Sequence, residues 1–130
     1  IIYEDGMQTR DFINVKDIAS ANLLAMEKDS ANFEYFNVGA GNPIAVKDIA
    51  LKLASVLNKN IKPELVNKYR IGDVRHCFAD ISKIREKLNF FPSVTFDEGL
   101  KELCLWLKNQ RAEDKVEQAQ NELAEKGLIV

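Results

Sequence analysis

The densest chemistry in this sequence lies between Tyr69 and Lys83. There, Tyr69-Arg70-Ile71-Gly72-Asp73-Val74-Arg75-His76 sets two guanidinium groups, an imidazole and a carboxylate around one glycine, just ahead of a predicted helix. Planar guanidinium groups grip phosphate oxygens through paired N–H donors. Gly72 lets backbone approach a ligand closely, and the Asp73 carboxylate suits sugar hydroxyls. The stretch reads as a loop that holds an anion. A second candidate is Arg10, in Gly6-Met7-Gln8-Thr9-Arg10-Asp11-Phe12. On chemistry alone, Arg10 competes between phosphate binding and a surface ion pair with Asp11 or Asp17. His76 is the only histidine in the chain. A lone histidine is more often a hydrogen-bonding structural residue than a catalyst, and no residue is assigned a catalytic role.

Elements to position these groups are partly legible. Ile1-Ile2-Tyr3 and Phe12-Ile13-Asn14-Val15 are β-rich runs around Glu4-Asp5-Gly6, and Asp-Gly between apolar segments predicts a hairpin of two short strands. Asp17 offers an N-cap for a helix through about Lys28, with Ile18, Ala21, Leu24 and Ala25 at helical spacing. Glu34 to Val38 reads as a buried strand that stops at Gly39. Val46, Ile49, Ala50, Leu53 and Leu57 mark a second amphipathic helix, with Ala45 in the cap position and Asp48 left to satisfy first-turn amides. Ile61 to Tyr69 includes Pro63 and is expected as an edge strand. A third helix is predicted over Ala79 to Leu88. A fourth is capped by Thr95 and runs to about Lys108, with Phe96, Leu100, Leu103 and Leu107 inward and Cys104 and Trp106 packed beside them. Residues 109–126 are helical by composition, with a thin stripe of Val116, Ala119 and Leu123.

Composition bounds the function classes. With 130 residues the chain suits one compact unit with a modest core. Net charge is −2, with a pI near 5.5 and both signs mixed along the chain, so no broad basic face for nucleic acid is expected. The 109–126 stretch holds three basic and five acidic residues and so carries that whole imbalance. It reads as a solvated tail or as a partner helix. No apolar run is long enough for a membrane span, and the N-terminus lacks the order of a signal peptide, so a cytoplasmic protein is expected. Two cysteines, Cys77 and Cys104, make neither a disulfide framework nor a zinc site and are expected as small apolar fillers. The apolar start at Ile1-Ile2 reads as a strand belonging to something longer.

Three segments together, Gly6 to Phe12, Asn37-Val38-Gly39-Ala40-Gly41 and Tyr69 to Lys83, resemble the C-terminal, substrate-binding region of the extended short-chain dehydrogenase/reductases. Within that family the resemblance is to the NAD-dependent nucleotide-sugar epimerases and dehydratases, similar to UDP-glucose 4-epimerase, over about residues 1–108. The resemblance implies an α/β substrate-binding domain of short strands and about four helices, followed by a charged helical tail at 109–130. It implies that Arg10 and Arg70 contact the diphosphate of a nucleotide sugar and that Asp73 contacts the ribose or its surroundings. Phe12 is then a wall near the nucleotide, or equally a core residue.

The family's glycine-rich NAD turn and Tyr-x-x-x-Lys pair are missing. Gly39-Ala40-Gly41 continues to Ile44 where a third glycine would stand, and Tyr3, Tyr35 and Tyr69 are followed four residues later by Met7, Gly39 and Asp73. NAD is therefore expected on an N-terminal Rossmann domain outside this chain, and this chain alone is expected to be inactive. The resemblance also implies a homodimeric parent and a self-associating fragment. The alternative from residue chemistry is a non-enzymatic interaction module using the basic loop and the last helix.

Overall fold

The computed structural model describes residues 1–111 and 113–129. Three very short strands form one sheet: β1 (Thr9–Asp11), β2 (Pro43–Ala45) and β3 (His76–Cys77), in the order β2-β1-β3. β1 runs antiparallel to β2, with Thr9 opposite Ala45 and Asp11 opposite Pro43. It runs parallel to β3, with Thr9 opposite His76 and Arg10 opposite Cys77. Pro43 lacks an N–H and sits on an outer strand, where a missing ladder donor costs least.

Among the described residues there are five α-helices: α1 (Val15–Glu27), α2 (Val46–Val56), α3 (Ser82–Leu88), α4 (Phe96–Leu107) and α5 (Val116–Glu125). The core gathers where α1 meets α3 and the chain after it, with Ala21, Ile81, Ile84, Leu88 and Phe90 buried together. Ile13, Leu24, Phe36 and Val38 pack on its margin. Thr95 caps α4 as the sequence predicts, and the box is complete: its hydroxyl accepts the Glu98 amide while the Glu98 carboxylate takes the Thr95 amide. Ala45 gives α2 no side-chain cap. The open amides of Val46 and Lys47 instead donate to the carbonyls of Gln8 and Gly6 at 3.0 and 2.9 Å, so the approach to β1 caps α2 in place of Asp48.

Several expectations fail for identifiable reasons. The Ile1–Val15 hairpin is not formed: Glu4-Asp5-Gly6 does turn, but Ile2 bridges Leu65 in parallel and β1 pairs with β2 and β3. The cap of α1 is Asn14, whose side chain accepts the Lys16 amide at 2.9 Å, and Asp17 lies buried in the first turn. Residues 34–38 form no strand; among the described residues no β-ladder includes them, and Tyr35 is exposed. The edge strand expected over Ile61–Tyr69 reduces to the single bridge at Leu65. Helix α3 starts at Ser82 rather than Ala79, with the Asp80 carboxylate accepting the Ser82 amide. Along α4 the buried residues are Leu100 and Cys104, whereas Leu103, Leu107 and Trp106 remain well exposed, Trp106 at 59%. Cys77 is exposed as well, so only Cys104 fills a core position.

The 34–38 segment is tied to α3 by charge. The Glu34 carboxylate bridges Lys83 at 2.8 Å and also pairs with Lys87. Hydrogen bonds from Lys83 first, and then Lys87, hold that carboxyl down at about 2, against an ordinary 4.5. A folded-state value below the unfolded one means that the pairs add stability above about pH 4.5 and lose it as pH falls toward about 2. Melting curves of the native chain and Glu34→Gln should therefore differ near neutrality and converge across that interval. A constant gap between them at all pH values would remove the ion pairs as the cause.

Candidate functional site

The pairing of β1 with β3 lays the segment carrying Arg10 beside the one carrying Arg75 and His76. The Thr9 amide donates to the Arg75 carbonyl at 3.0 Å, and the Thr9 hydroxyl and His76 Nδ1 lie 2.9 Å apart. Arg10 Nη1 donates to the carbonyls of Thr9 and Arg75 at 2.8 and 3.1 Å, and neither Asp11 nor Asp17 pairs with it. One edge of the guanidinium is thereby fixed by backbone.

Arg70 is held differently. Its Nε and Nη2 both reach Asp73 Oδ2, at 2.8 and 2.6 Å, and its guanidinium lies over the Tyr3 ring, 5.3 Å from the centroid. Gly72 makes this pairing possible: the Asp73 amide returns to the Arg70 carbonyl at 3.2 Å across a turn in which Gly72 takes φ +89°. A positive φ at that position is the conformation glycine adopts without steric cost. An added Cβ at Gly72 would meet nothing within 4 Å, so the turn faces open space.

Arg75 does not belong to the same ligand edge. It pairs with Glu4 and with Asp5, the latter at 2.8 Å. The Asp5 hydrogen bond, followed by that of Glu4, raises its guanidinium above the ordinary value, and the same bond from Arg75, with the Met7 amide, lowers Asp5. That cluster pins the Glu4-Asp5-Gly6 turn against the loop. Tyr3, Arg10, Arg70 and Asp73 thus sit on two segments laced together, since the Glu4 amide also donates to the Lys68 carbonyl at 2.7 Å.

Phe12 is placed elsewhere. Its ring meets Phe96 edge-on at 5.7 Å, and it lines a cavity of about 590 Å³ with Val15, Leu53, Leu100, Leu103 and Trp106. Neither arginine nor Asp73 lines that cavity.

The residue that sequence reasoning missed is Asp11. Read there only as an ion-pair partner of Arg10, it accepts instead from the amides of Ala40 at 2.9 Å, Gly41 at 3.1 Å and Ala79 at 3.2 Å. The Gly39-Ala40-Gly41 turn wraps so closely that a Cβ on Gly39 would fall 2.3 Å from Asp11 Oδ2 and 2.7 Å from the Ala79 Cβ. One carboxylate thus ties the end of β1 to the glycine loop and to the chain leaving β3. A carboxylate one residue from the strand's arginine, with a Gly-x-Gly turn elsewhere, was the available signal; only the fold shows that the two meet.

A small mixed sheet centred on an arginine-bearing strand, a glycine turn held by that strand's own aspartate, and helices packed around both define an α/β unit of the extended short-chain dehydrogenase/reductase type. The chain belongs to the GDP-mannose 4,6 dehydratase family, which it matches over residues 1–103.

Among relatives it is 36% identical over 108 residues to a UDP-glucuronate 4-epimerase of Thermodesulfobacterium geofontis, covering 82% of this chain and 32% of that protein. It superposes on the UDP-glucose 4-epimerase of Thermotoga maritima, solved with UDP-glucose, with a TM-score of 0.76 at 36% identity, over 82% of this chain and 34% of that one. The UDP-N-acetylglucosamine 4-epimerase of Methanobrevibacter ruminantium, solved with UDP-N-acetylmuramic acid, gives 0.74 at 37% identity, over 85% and 34%. The chain thus spans about a third of the length of the relatives it matches.

A related dTDP-glucose 4,6-dehydratase from Bacillus anthracis was solved in complex with NAD. Neither the glycine turn nor the start of α2 offers free amides to the pyrophosphate of that cofactor. The glycine turn that superficially offers amides gives them to Asp11, and the first amides of α2 are taken by the carbonyls of Gln8 and Gly6. Among the described residues, no cluster of His, Cys, Asp and Glu is suited to a metal, and no helix is long and apolar enough to cross a membrane.

Proposed function

We propose that residues 1–108 form the part of an NAD-dependent nucleotide-sugar epimerase, of the UDP-sugar 4-epimerase kind, or of a dehydratase, that holds the nucleoside diphosphate. The segment after residue 108 is an added tail that carries α5. The observation that carries this reading is the lacing of the Tyr3–Asp11 and Lys68–Cys77 segments, which sets Arg10, Arg70 and Asp73 along one joint. The ligands bound to the relatives, UDP-glucose and UDP-N-acetylmuramic acid, supply the ligand class. Arg10 and Arg70 bind the diphosphate, and Asp73 turns to the ribose as the phosphate takes its place on Arg70. The exchange is an even one in charge, since one anion replaces another on the same guanidinium edge. For Phe12, packing against Phe96 is the favoured role.

NAD and the proton-transferring groups belong to the rest of the parent. The contribution of this part is orientation: binding energy from the remote diphosphate positions the sugar for the reaction. This chain alone is inactive.

Calorimetric titration of the chain with UDP-glucose tests the reading. Binding should saturate, and Arg70→Ala should weaken it by about 1.5–3 kcal/mol, or roughly 10- to 150-fold, the scale of a charge-assisted hydrogen bond. Arg70→Lys should recover only part, because an ammonium cannot reproduce the planar fork. Binding that is unchanged in both Arg10→Ala and Arg70→Ala overturns the reading.

A further inference from the structure

The backbone that carries Arg70 is held by the far end of the chain. Every residue from Asn67 to Phe78 is exposed, so the loop has little apolar packing to fix it. At its centre, however, the Ile71 amide donates to the Leu128 carbonyl at 2.9 Å, and Arg70 forms an antiparallel bridge with Ile129. These contacts come from a segment beyond the family match, which ends at residue 103.

The approach of that segment is set by one glycine. Helix α5 ends with the Leu128 amide on the Leu123 carbonyl at 2.9 Å and the Gly127 amide on the Ala124 carbonyl at 3.0 Å. That pair of bonds is a Schellman turn, which requires a left-handed residue just past the helix, and Gly127 supplies it with φ +64°. The turn redirects the chain so that Leu128 and Ile129 run back along Arg70 and Ile71.

We infer that residues 116–129 are a strap that positions Arg70, through the Schellman turn at Gly127 and the Leu128–Ile129 pairing to Arg70–Ile71. The strap holds the backbone while Asp73 and Tyr3 hold the side chain, so the guanidinium is presented to a nucleoside diphosphate with less freedom to lose on binding. Gly127 is a positioning residue, and the inference rests on the proposed role of Arg70 in binding.

Gly127 offers a clean test, because an added Cβ there would meet nothing within 4 Å and the left-handed backbone is what a substitution strains first. Gly127→Val disfavours the left-handed turn, whereas Gly127→Asn tolerates it. Hydrogen exchange at the Ile71 amide, read by NMR without ligand, should speed up in Gly127→Val and stay near the native rate in Gly127→Asn. UDP titration should show roughly three- to tenfold weaker binding in Gly127→Val, restored in Gly127→Asn, and no further loss when Gly127→Val is added to Arg70→Ala, as coupled residues behave. Unchanged Ile71 exchange in Gly127→Val overturns the strap. Unchanged UDP affinity, or a full additional loss in the Arg70→Ala background, overturns its positioning of Arg70. Failure of the native chain to bind UDP overturns the nucleotide reading instead, and with it the positioning role, while the strap itself is still decided by Ile71 exchange.

Discussion

Replacing Asp11 with asparagine is expected to lower the unfolding free energy by about 2–4 kcal/mol, because three backbone amides depend on its two carboxylate oxygens. Ala40 donates to Oδ1, whereas Gly41 and Ala79 share Oδ2. An asparagine keeps one carbonyl acceptor and turns an NH₂ toward the remaining amides, so donor faces donor. Alanine removes the repulsion but leaves all three amides without the carboxylate. In a chain whose total stability is on the order of 5–15 kcal/mol, either loss is a large share. A thermal midpoint lower by about 8–15 °C is the expected reading. Gly39→Ala should give a loss of similar size with no donor or acceptor removed, since its Cβ would lie 2.3 Å from Asp11 Oδ2 and 2.7 Å from the Ala79 Cβ. If Asp11→Asn melts within about 2 °C of the native chain, corresponding to less than about 0.5 kcal/mol, the carboxylate does not hold this joint together.

The contrast between the features that local pattern revealed and those it hid comes from where each signal sits along the chain. Helices α2 and α4 were legible because their information is contiguous: Val46 to Leu57 keeps a helical stripe, and Thr95 with Glu98 is a complete capping signature. The sheet was not, because strands of two or three residues carry no alternation, and β1 finds its partners far along the chain at Pro43–Ala45 and His76–Cys77. The Asp-Gly pair at Asp5-Gly6 is a genuine turn, but the strand beyond it pairs with β2 and β3, so a strong local hairpin signal was overruled by long-range pairing.

Side-chain types singled out Arg10, Arg70 and Asp73 as candidates without showing what restrains them. That Arg10 would be fixed by two carbonyls, or Arg70 by Tyr3 and the C-terminal strap, depends on pairings distant in sequence. The stripe of Val116, Ala119 and Leu123 announced a helix, but its return to Arg70 left no trace in composition.

Asp17 is the sharpest case of a residue whose type was read correctly and whose role was not, and it carries the second large expected effect. Asparagine, aspartate and serine all serve as N-caps, and Asn14 takes that position three residues earlier. Asp17 is only 2% exposed, and its carboxylate accepts from the Ser93 amide at 2.9 Å, the Ser93 hydroxyl at 2.7 Å and the Val94 amide at 3.1 Å. It therefore fastens the first turn of α1 to the chain entering the Thr95 cap of α4. Burial pushes its carboxyl up, but the Ser93 hydroxyl and the two amides outweigh that and hold it below the ordinary 3.8. Its contribution is accordingly present above that ordinary value and is lost as pH falls through the lower folded one.

Asp17→Ala should cost about 3–4 kcal/mol in denaturant unfolding, since the Ser93 and Val94 donors then lose their charged acceptor and a side chain that is only 2% exposed is emptied. Asp17→Asn should cost less, about 2 kcal/mol, because the Ser93 donors keep a carbonyl while the Val94 amide faces an NH₂. The partner identifies the mechanism: in a Ser93→Ala background the Asp17→Ala cost should shrink by roughly 1 kcal/mol, as expected for residues in one hydrogen-bond network. Strict additivity of the two substitutions, or an Asp17→Ala cost below about 1 kcal/mol, would mean that α1 and α4 are held in register by apolar packing rather than by this carboxylate.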